Sequence, residues 1–590
     1  MNKTEKLICL LLGAVLAWYI FVRLPKQSQA AADAAKAQPR QTAAARAVAN
    51  RGDAAAPAAA QADANGGDRS AAPAAAARAV PSEPEETVVL ENDDLRLELS
   101  SWGAVVKRAT LKGYARDRGA ISEANPAVTL DFASAPLGEL GGADGLGTDT
   151  AYAVRKVDDR TVVFTGAKVT RTVTLGEDFQ VAYADAFKDG AAAEPMTMSV
   201  GAMRMGGSKN DLLSVDSMVK TPKGDEVVHH CEGDSPLKDY LVGGLSGGCS
   251  GSKDAKGQPA SVDRSVQGAQ EWVAVKNRFF VTALAGSSEA NEGFDATIAR
   301  DVRSANYRPS EVAVRVRFAA SAAGTRTSVF YVGPKKQSLL WNLGMRDVME
   351  FGMWRWICYP LVWVLNFFNG LIPNYGVAII LLTILVRLLF WPLTHKSTVG
   401  MKKMQELQPK MKEIQAKYKD NPQRLQQEMW SMYREAKVNP MSSCLPMLIQ
   451  IPVFIALFNV LRSAVELRYA PFLWIADLSE PEGLFASWFP FGGLNVLPIL
   501  MAVSTGLQSA FTPSTGDKSQ QRMMMVFMPA MMLFMFYSFP SALSLYWFLS
   551  NLFSIVQMWL IRRQAAAARG AVVPEVIDPP QTRQMRRHGG

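Results

Sequence analysis

The segment VAIILLTILVRLLFWPL, residues 377–393, is an apolar run with one charged side chain, Arg387. It is long enough for a helix that crosses a hydrocarbon layer of about 30 Å. An arginine at the centre of such a helix costs roughly 2.5–3.5 kcal/mol, so intramembrane arginines usually face a polar or wet interior. Thr383 lies one turn earlier on the same face. Although the guanidinium is also near enough to snorkel to the interface, we interpret Arg387 as the centre of a functional site.

Five further apolar runs are long enough, some marginally, to cross the same layer. Residues 340–370 are apolar too, but Pro360, Asn366 and Asn369 interrupt them and aromatic side chains crowd them. We predict one amphipathic helix there, at the outer membrane surface, beside a bundle of six transmembrane helices. The predicted transmembrane helices are residues 1–24, 377–393, 445–460, 494–510, 523–539 and 542–561.

The basic residues predict the orientation of these helices. Residues 395–439 contain ten Lys and Arg against five acids, the loop 461–493 contains two against four, and the tail 562–590 contains six against two. Cytoplasmic loops generally carry the basic excess. Both termini, the 395–439 loop and the short loop 511–522 are therefore expected in the cytoplasm. This topology accounts for the net charge of +9, so direct DNA binding is not expected.

The N-terminal half has a different composition. Residues 25–85 are rich in Ala, Pro and Gln, bury little apolar surface and predict a flexible linker. Residues 86–335 contain alternating runs such as Leu95-Arg96-Leu97-Glu98-Leu99, separated by turn residues, which predict an all-β sandwich outside the cytoplasm. The first apolar run is either a retained anchor, which the basic residues after it favour, or a cleaved signal peptide.

Polar side chains recur on the other predicted helices, and on the last helix they are spaced three and four residues apart. Isolated polar groups usually bond helices together at about 0.6 kcal/mol each. Together with Arg387, however, they indicate a hydrated groove inside the bundle. The candidate groove residues are Arg387, Thr383, Gln450, Gln508, Trp547, Asn551 and Ser554.

The fifth predicted helix is rich in methionine, whose flexible and polarizable side chain suits varied apolar contacts. We interpret Met528, Met531, Met532 and Met535 as an apolar slide for passing segments. The alternative is a lipid-facing helix in which methionine has no special role.

The 395–439 loop has apolar residues at helical spacing in two stretches, joined by a turn in which Asn421 and Pro422 begin the second helix. This pattern predicts an antiparallel coiled-coil hairpin. Its basic surface is either simply solvated or binds ribosomal RNA or an acidic partner. The predicted hairpin core is Met404, Leu407, Met411, Ile414, Leu425 and Met429.

Signals of catalysis and metal binding are missing from the sequence. It contains no nucleotide-binding loop G-x-x-x-x-G-K-[ST] and no H-E-x-x-H. We therefore expect no enzyme activity, no metal and no cofactor. Cys231 and Cys249 share the outer domain, and the sequence leaves open whether they form a disulfide.

These residues resemble the YidC family of membrane protein insertases. The similarity is strongest over residues 340–562 and weaker in the β domain, and Trp547 departs from it because a tyrosine is usual there. The motifs that carry it are Tyr375-Gly376, Val386-Arg387, Trp391-Pro392-Leu393-Thr394, Gln450-Ile451-Pro452, Ser550-Asn551, Trp272-Val273-Ala274-Val275-Lys276-Asn277 and Tyr331-Val332-Gly333-Pro334.

The resemblance implies the Gram-negative form, with a periplasmic β-supersandwich and a core of five helices in the bacterial inner membrane. It implies a groove that is open to cytoplasm and lipid, closed outside, and centred on Arg387. It also implies nascent membrane proteins as clients and action alone or with the Sec translocon. The ribosome, and signal recognition particle or its receptor, are the expected partners of the hairpin and the basic tail.

Two other classes of protein stay open from the sequence. A polytopic transporter or channel would conduct a solute through the helical bundle. An anchored periplasmic binding or carbohydrate-active protein would instead act through residues 86–335. The predicted helices lack the paired intramembrane acid and base of a proton-coupled pump.

Overall fold

The structure is a computed structural model. It describes residues 83–142, 145–188, 194–204, 213–221, 224–229, 261–300, 309–321, 324–436, 445–485, 493–511 and 523–570, with the single residues 81 and 438. The predicted first helix, most of the linker, the tail beyond residue 570, and both Cys231 and Cys249 lie outside the described residues.

The β domain, residues 87–334, contains three antiparallel sheets. One has four strands in the order β1-β2-β3-β4, one has five in the order β13-β16-β17-β10-β5, and one has nine in the order β12-β11-β14-β15-β18-β9-β8-β7-β6. The strands are β1 Thr87–Glu91, β2 Leu95–Ser100, β3 Val105–Ala115, β4 Ala127–Asp131, β5 Leu140–Gly141, β6 Ala153–Lys156, β7 Thr161–Thr165, β8 Val169–Leu175, β9 Gln180–Phe187, β10 Met196–Arg204, β11 Ser214–Thr221, β12 Gly224–His229, β13 Ser261–Gln267, β14 Trp272–Lys276, β15 Phe280–Ser287, β16 Asn291–Arg300, β17 Pro309–Phe318 and β18 Thr325–Pro334.

The two larger sheets enclose the main core of the β domain. Strand β10 of the five-stranded sheet lies against β14 and β15 of the nine-stranded sheet. Alternate residues on each strand face inward, as in β8, where Val169, Val173 and Leu175 are buried. The same inward face of β8 contains Arg171, which is fully buried.

The C-terminal region is helical. Its helices are α1 Gln337–Asn342, α2 Arg355–Leu371, α3 Tyr375–Glu406, α4 Gln408–Lys417, α5 Pro422–Glu435, α6 Leu445–Ser463, α7 Val496–Phe511, α8 Met528–Phe536 and α9 Ser541–Gly570. A π-helical turn at Met523–Phe527 precedes α8. By length and composition, Tyr375–Glu406 and Ser541–Arg563 are suited to cross a membrane, and three shorter apolar helices accompany them.

Several helices extend beyond their predicted ends. Helix α3 continues from the predicted end at Leu393 to Glu406, and α9 continues past Ile561 to Gly570. Each predicted segment ended where polar residues begin. Polar residues end an apolar run, but an α-helix can continue through them. At its start, α3 is capped as expected, since the Asn374 side chain accepts a hydrogen bond from the Val377 amide.

The single amphipathic helix predicted over residues 340–370 is wrong. Two short 3₁₀ turns, Arg346–Met349 and Gly352–Trp354, separate α1 from α2. Gly344, Glu350 and Gly352 all have positive φ angles, which stop an α-helix. Pro360 interrupts the apolar run but does not end the helix, because it is the sixth residue of α2 and only removes one i→i−4 hydrogen bond inside it.

A buried ionic cluster joins the β domain to this helical region. Lys276, at the end of β14, forms ion pairs with Asp216 and Glu350 and donates to the Val348 carbonyl at 2.9 Å. Lys335 lies beside it, is 3 % exposed, and its ammonium donates to the Asn277 carbonyl at 3.4 Å. Burial, assisted by the neighbouring Lys276 charge, lowers the pKa of Lys335 from 10.5 to about 8.

Replacing Lys335 by Met should stabilise the β domain near neutral pH. Because the folded-state pKa is below the unfolded one, Lys335 reduces stability below pH 8, and the wild type gains stability as the pH rises from about 8 to 10.5. Lys335→Met should therefore gain up to roughly 3 kcal/mol at pH 7 and lose this pH dependence. Thermal unfolding of the full-length protein at pH 7 to 10 measures both, with the exposed neighbour Lys336→Met as the control. Equal pH profiles for wild type and Lys335→Met would contradict the assignment.

Candidate functional site

Arg387 lies midway along the apolar part of α3 and faces α9. Its guanidinium donates a hydrogen bond to the Ser550 hydroxyl. Tyr546, one turn earlier on α9, is close enough to interact electrostatically with Arg387. The Gln450 amide of α6 donates to the Tyr546 hydroxyl at 2.9 Å. Three helices therefore contribute to one polar cluster around the guanidinium.

A second polar pair lies two turns further along the same helices. The Gln557 amide of α9 donates to the Thr394 hydroxyl of α3 at 2.9 Å. Arg387 and Thr394 are seven residues apart, as are Ser550 and Gln557, so α3 and α9 run side by side in the same direction. We call these four residues, with Tyr546 and Gln450, the polar ladder.

At the end away from α4 and α5, the polar ladder ends at Tyr546, one turn before Ser550 on α9. Ile380 and Leu543, which lie seven residues before Arg387 and Ser550 respectively, are apolar. Leu543 is 1 % exposed, and Ile380 packs against the core. The polar side of the α3–α9 contact therefore runs from the middle of the helices towards the loop that contains α4 and α5. Its opposite end is closed by apolar packing.

The charge of Arg387 has no carboxylate partner among the residues that the structure describes. The sequences of α6, α7, α8 and α9 contain no Asp or Glu, and the only acid on α3 is Glu406 at its end. A half-buried guanidinium that is hydrogen-bonded only to neutral groups remains attractive to an incoming anion.

Some predicted groove residues lie away from Arg387. Thr383 is fully buried, and its hydroxyl donates to the Ile379 carbonyl of its own helix at 2.7 Å. The Asn551 amide donates to the hydroxyls of Ser504 and Thr505 on α7, at 3.0 and 2.9 Å. In the structure Asn551 thus bonds two helices together, which is the alternative considered for single polar residues.

The remaining predicted residues are distributed around α9. Ser554 lies one turn after Ser550 and donates to its carbonyl at 3.0 Å. Trp547 packs against the rings of Phe454 and Phe536, with centroids 5.1 and 5.4 Å away. Gln508 is half-buried on α7, on the side of Ser504.

The predicted groove residues did not include four members of the polar ladder, Tyr546, Ser550, Gln557 and Thr394. A usable signal was present on α9, because Tyr546, Ser550, Ser554 and Gln557 are spaced four, four and three residues apart. The predicted groove residues included Ser554 of this face, but Trp547 and Asn551 lie one residue further round the helix. One helix alone does not reveal which neighbour each face meets.

The predicted methionine slide is divided between two environments. Met532 and Met535 pack against the helical core, Met528 is half-buried, and Met531 is 37 % exposed. The outward surface of this region is completed by Val526, Phe527 and Phe534, which are 59 to 65 % exposed.

The predicted hairpin residues form the less exposed side of two short helices. Met404 is buried at the end of α3, and the other five predicted core residues are half-buried. The Tyr433 hydroxyl of α5 contacts the Met411 sulfur of α4 at 3.4 Å. In the part of the chain that the structure describes, no three His, Cys, Asp or Glu side chains are grouped so as to hold a metal.

Fold and site define a helical membrane protein with a large β domain and an arginine-centred polar cluster within its bundle. Comparison with known proteins identifies the family. Residues 87–364 match the YidC periplasmic domain and residues 367–568 match the 60Kd inner membrane protein family. A membrane protein insertase YidC from Pelodictyon phaeoclathratiforme is 32 % identical over 541 residues, covering 86 % of this chain and 88 % of the relative. The chain belongs to the YidC family of membrane protein insertases.

Other relatives agree with this assignment. A YidC insertase from Syntrophobacter fumaroxidans is 42 % identical over 301 residues, which is 50 % of this chain and 54 % of the relative. The solved structure described as an active YidC insertase with the first transmembrane domain resolved is 20 % identical, has a TM-score of 0.33, and covers 82 % of this chain and 93 % of that one. The match to the YidC periplasmic domain indicates that the β domain is periplasmic, and the relatives named as insertases do not favour the transporter or channel alternative.

Proposed function

We propose that this protein inserts nascent membrane proteins into the bacterial inner membrane by way of the polar ladder. The observation that carries this proposal is the uncompensated charge of Arg387, held by Ser550 at the inner end of an apolar seal. In a membrane, an acidic or polar client tail can bind there without displacing an internal carboxylate.

A polar site of this kind is sufficient for insertion, because the overall transfer of a client helix into lipid is energetically favourable. A client helix gains about 0.3–0.6 kcal/mol for each Leu-like residue that enters lipid, so a span of ~20 residues is downhill overall. The barrier is the passage of its polar tail through hydrocarbon. A partial polar path from the cytoplasm to Arg387 shortens that passage, and no nucleotide is needed.

This proposal includes the predicted topology. With six spans and both termini in the cytoplasm, α3 and α9 run inward, and their parallel direction agrees with this assignment. The polar ladder then opens towards the cytoplasmic hairpin and is closed towards the periplasm. The exposed side of Met531 and Phe534 on α8 offers the client an apolar route into lipid, which supports the proposed slide.

Partners follow from the same arrangement. The clients are nascent membrane proteins, inserted by this protein alone or together with the Sec translocon. The basic hairpin, in which Trp430 is 53 % exposed, and the basic tail are the proposed contacts for the ribosome and for signal recognition particle or its receptor. The protein is proposed to need no cofactor and to catalyse no covalent reaction.

Photo-crosslinking from α9 tests the proposed path. A crosslinking side chain at Ser554, on the face of Ser550, should reach a ribosome-bound nascent chain carrying one short hydrophobic segment. The matched control is Val556, which lies almost opposite on the same helix at similar depth and is 51 % exposed. We expect crosslinks from Ser554 and few from Val556 in short nascent chains. Equal yields from both positions would argue against passage along the polar ladder.

A further inference from the structure

The loop between α6 and α7 has an unusual backbone. Within residues 464–485, which we call the outer loop, three non-glycine residues have left-handed φ angles: Tyr469 at 58°, Leu473 at 52° and Phe485 at 54°. This region of backbone is disfavoured for bulky side chains, so such residues persist only where the surrounding structure imposes them.

Two of these three residues expose their apolar side chains. Leu473 is 75 % exposed and Phe485 is 65 % exposed, and Trp474 beside Leu473 is 45 % exposed. The Trp474 indole N–H donates to Glu482 at 3.2 Å, which fixes the ring while leaving it accessible. Residues 470–476, Ala-Pro-Phe-Leu-Trp-Ile-Ala, carry no charge. A fixed apolar patch of this kind indicates an interaction surface.

The outer loop lies across the outer ends of the membrane helices. The Glu482 carboxylate accepts hydrogen bonds from the Val496 and Leu497 amides, at 2.9 and 2.6 Å, and so caps α7. The Glu480 carbonyl accepts from the amide and hydroxyl of Ser541, at 3.0 and 2.6 Å, where α9 begins.

Close packing fixes the loop to α3 as well. A Cβ atom on Gly376, in the first turn of α3, would lie 2.1 Å from the Phe472 ring, so this ring rests directly on the α3 backbone. Phe472 immediately precedes Leu473. The apolar patch is therefore held at the level where the apolar surfaces of the helices end.

The opposite side of the outer loop binds the β domain. Arg468 donates to the carbonyls of Ala115 and Arg116, at 2.8 and 2.9 Å, and the Tyr469 hydroxyl donates to the Arg116 carbonyl at 2.9 Å. From the β domain, Arg278 donates to the Arg462 carbonyl at 2.9 Å and forms an ion pair with Glu480.

We propose that the outer loop is seated in the headgroup and acyl boundary of the outer leaflet through Leu473, Trp474 and Phe485. Lipid is the occupant because the patch adjoins the outer ends of α3, α7 and α9, where the bilayer begins, and because its composition, apolar with one tryptophan, is typical of interfacial segments. Two acids of the loop are turned inward, Glu482 to the start of α7 and Glu480 to Arg278, and Asp477 accepts hydrogen bonds from Tyr469 and Ser479 within the loop. The outer loop thereby fixes the β domain at a set height above the membrane.

Depth-dependent fluorescence quenching tests this seating in the full-length protein. NBD labels are attached to Leu473→Cys and Phe485→Cys, in a variant whose five native cysteines are replaced and which keeps its thermal midpoint. The purified protein is placed in phosphatidylcholine nanodiscs with or without brominated acyl chains. The control is Val157→Cys in the β6–β7 turn, which is 56 % exposed and apolar.

We expect brominated lipid to quench the labels at 473 and 485 at least about twofold more than the label at 157, and aqueous iodide to quench them less. Because only this protein and lipid are present, no other membrane protein can supply the shielding. Quenching by brominated lipid no greater than at position 157 would overturn the proposal, whether iodide reaches the labels or not. The result is independent of insertase activity, so it does not depend on the proposed function.

Discussion

Replacing Arg387 by Ala should reduce client insertion by at least about tenfold, whereas Arg387→Lys should keep most of it. A charge-assisted hydrogen bond contributes about 1.5–3 kcal/mol, which corresponds to roughly 10- to 100-fold in rate if it forms only at the barrier. Lysine keeps the positive charge and can still donate to Ser550. The measurement is the initial insertion rate of a short client into proteoliposomes that contain the purified variants.

Loss of fold would not explain this result. Arg387 is a charge without a carboxylate partner among the described residues, so its removal relieves a desolvation cost. Arg387→Ala should therefore unfold at the same temperature as the wild type or a higher one. Ser550→Ala is the matched control, because it removes only a neutral acceptor and should cost less than about fivefold. If Arg387→Ala inserts the client at the wild-type rate, the guanidinium is not part of the mechanism.

Replacing Arg171 by Met should have the opposite profile, with a large loss of stability and little change in insertion per folded molecule. Arg171 and Asp185 are 0 % and 1 % exposed, with Nε and Oδ1 2.8 Å apart. Arg171 also donates to the Gly138 carbonyl at 2.8 Å and lies over the Tyr183 ring at 4.7 Å. Removing one partner of such a pair leaves a buried charge and typically costs about 3–5 kcal/mol.

The double variant Arg171→Met with Asp185→Leu isolates the cause of that loss. It removes both charges and should recover much of the stability, since replacing a whole buried pair by apolar groups is often nearly neutral. Thermal unfolding of the full-length protein measures both variants. An unchanged midpoint for Arg171→Met alone would show that the pair does not support the β domain. We therefore expect Arg171 to support stability and Arg387 to support insertion, because among the described residues only Arg171 has a carboxylate partner.

Much of the architecture could be predicted from local patterns. Period-two alternation indicated the β domain, and long apolar runs indicated the helical region. Strand partners could not be predicted, because β9 pairs with β18 and β10 with β17 across more than a hundred residues. Local sequence contains no information about which distant strand completes a sheet.

Only part of the site could be predicted, for a similar reason. Arg387 was evident as the only charged residue in the apolar run 377–393, but its partners depend on how α3 and α9 are rotated against each other. Hydrophobic periodicity defines a buried face only to within about one residue position. Tyr546 was not predicted because an aromatic residue next to Leu545 fits an apolar pattern. In the structure its hydroxyl accepts a hydrogen bond from the Gln450 amide. The left-handed residues of the outer loop have no sequence signal, since Tyr, Leu and Phe rarely adopt that backbone.

The central claim is that Arg387 binds an acidic client tail during its passage. A two-by-two cycle tests it most directly: wild type and Arg387→Ala, each with a client whose short tail contains Asp or, at the same positions, Asn. Initial insertion rates are measured in proteoliposomes that contain no other protein. Arg387→Ala should slow the Asp client at least about tenfold and the Asn client less than about threefold. Equal slowing of both clients would contradict it.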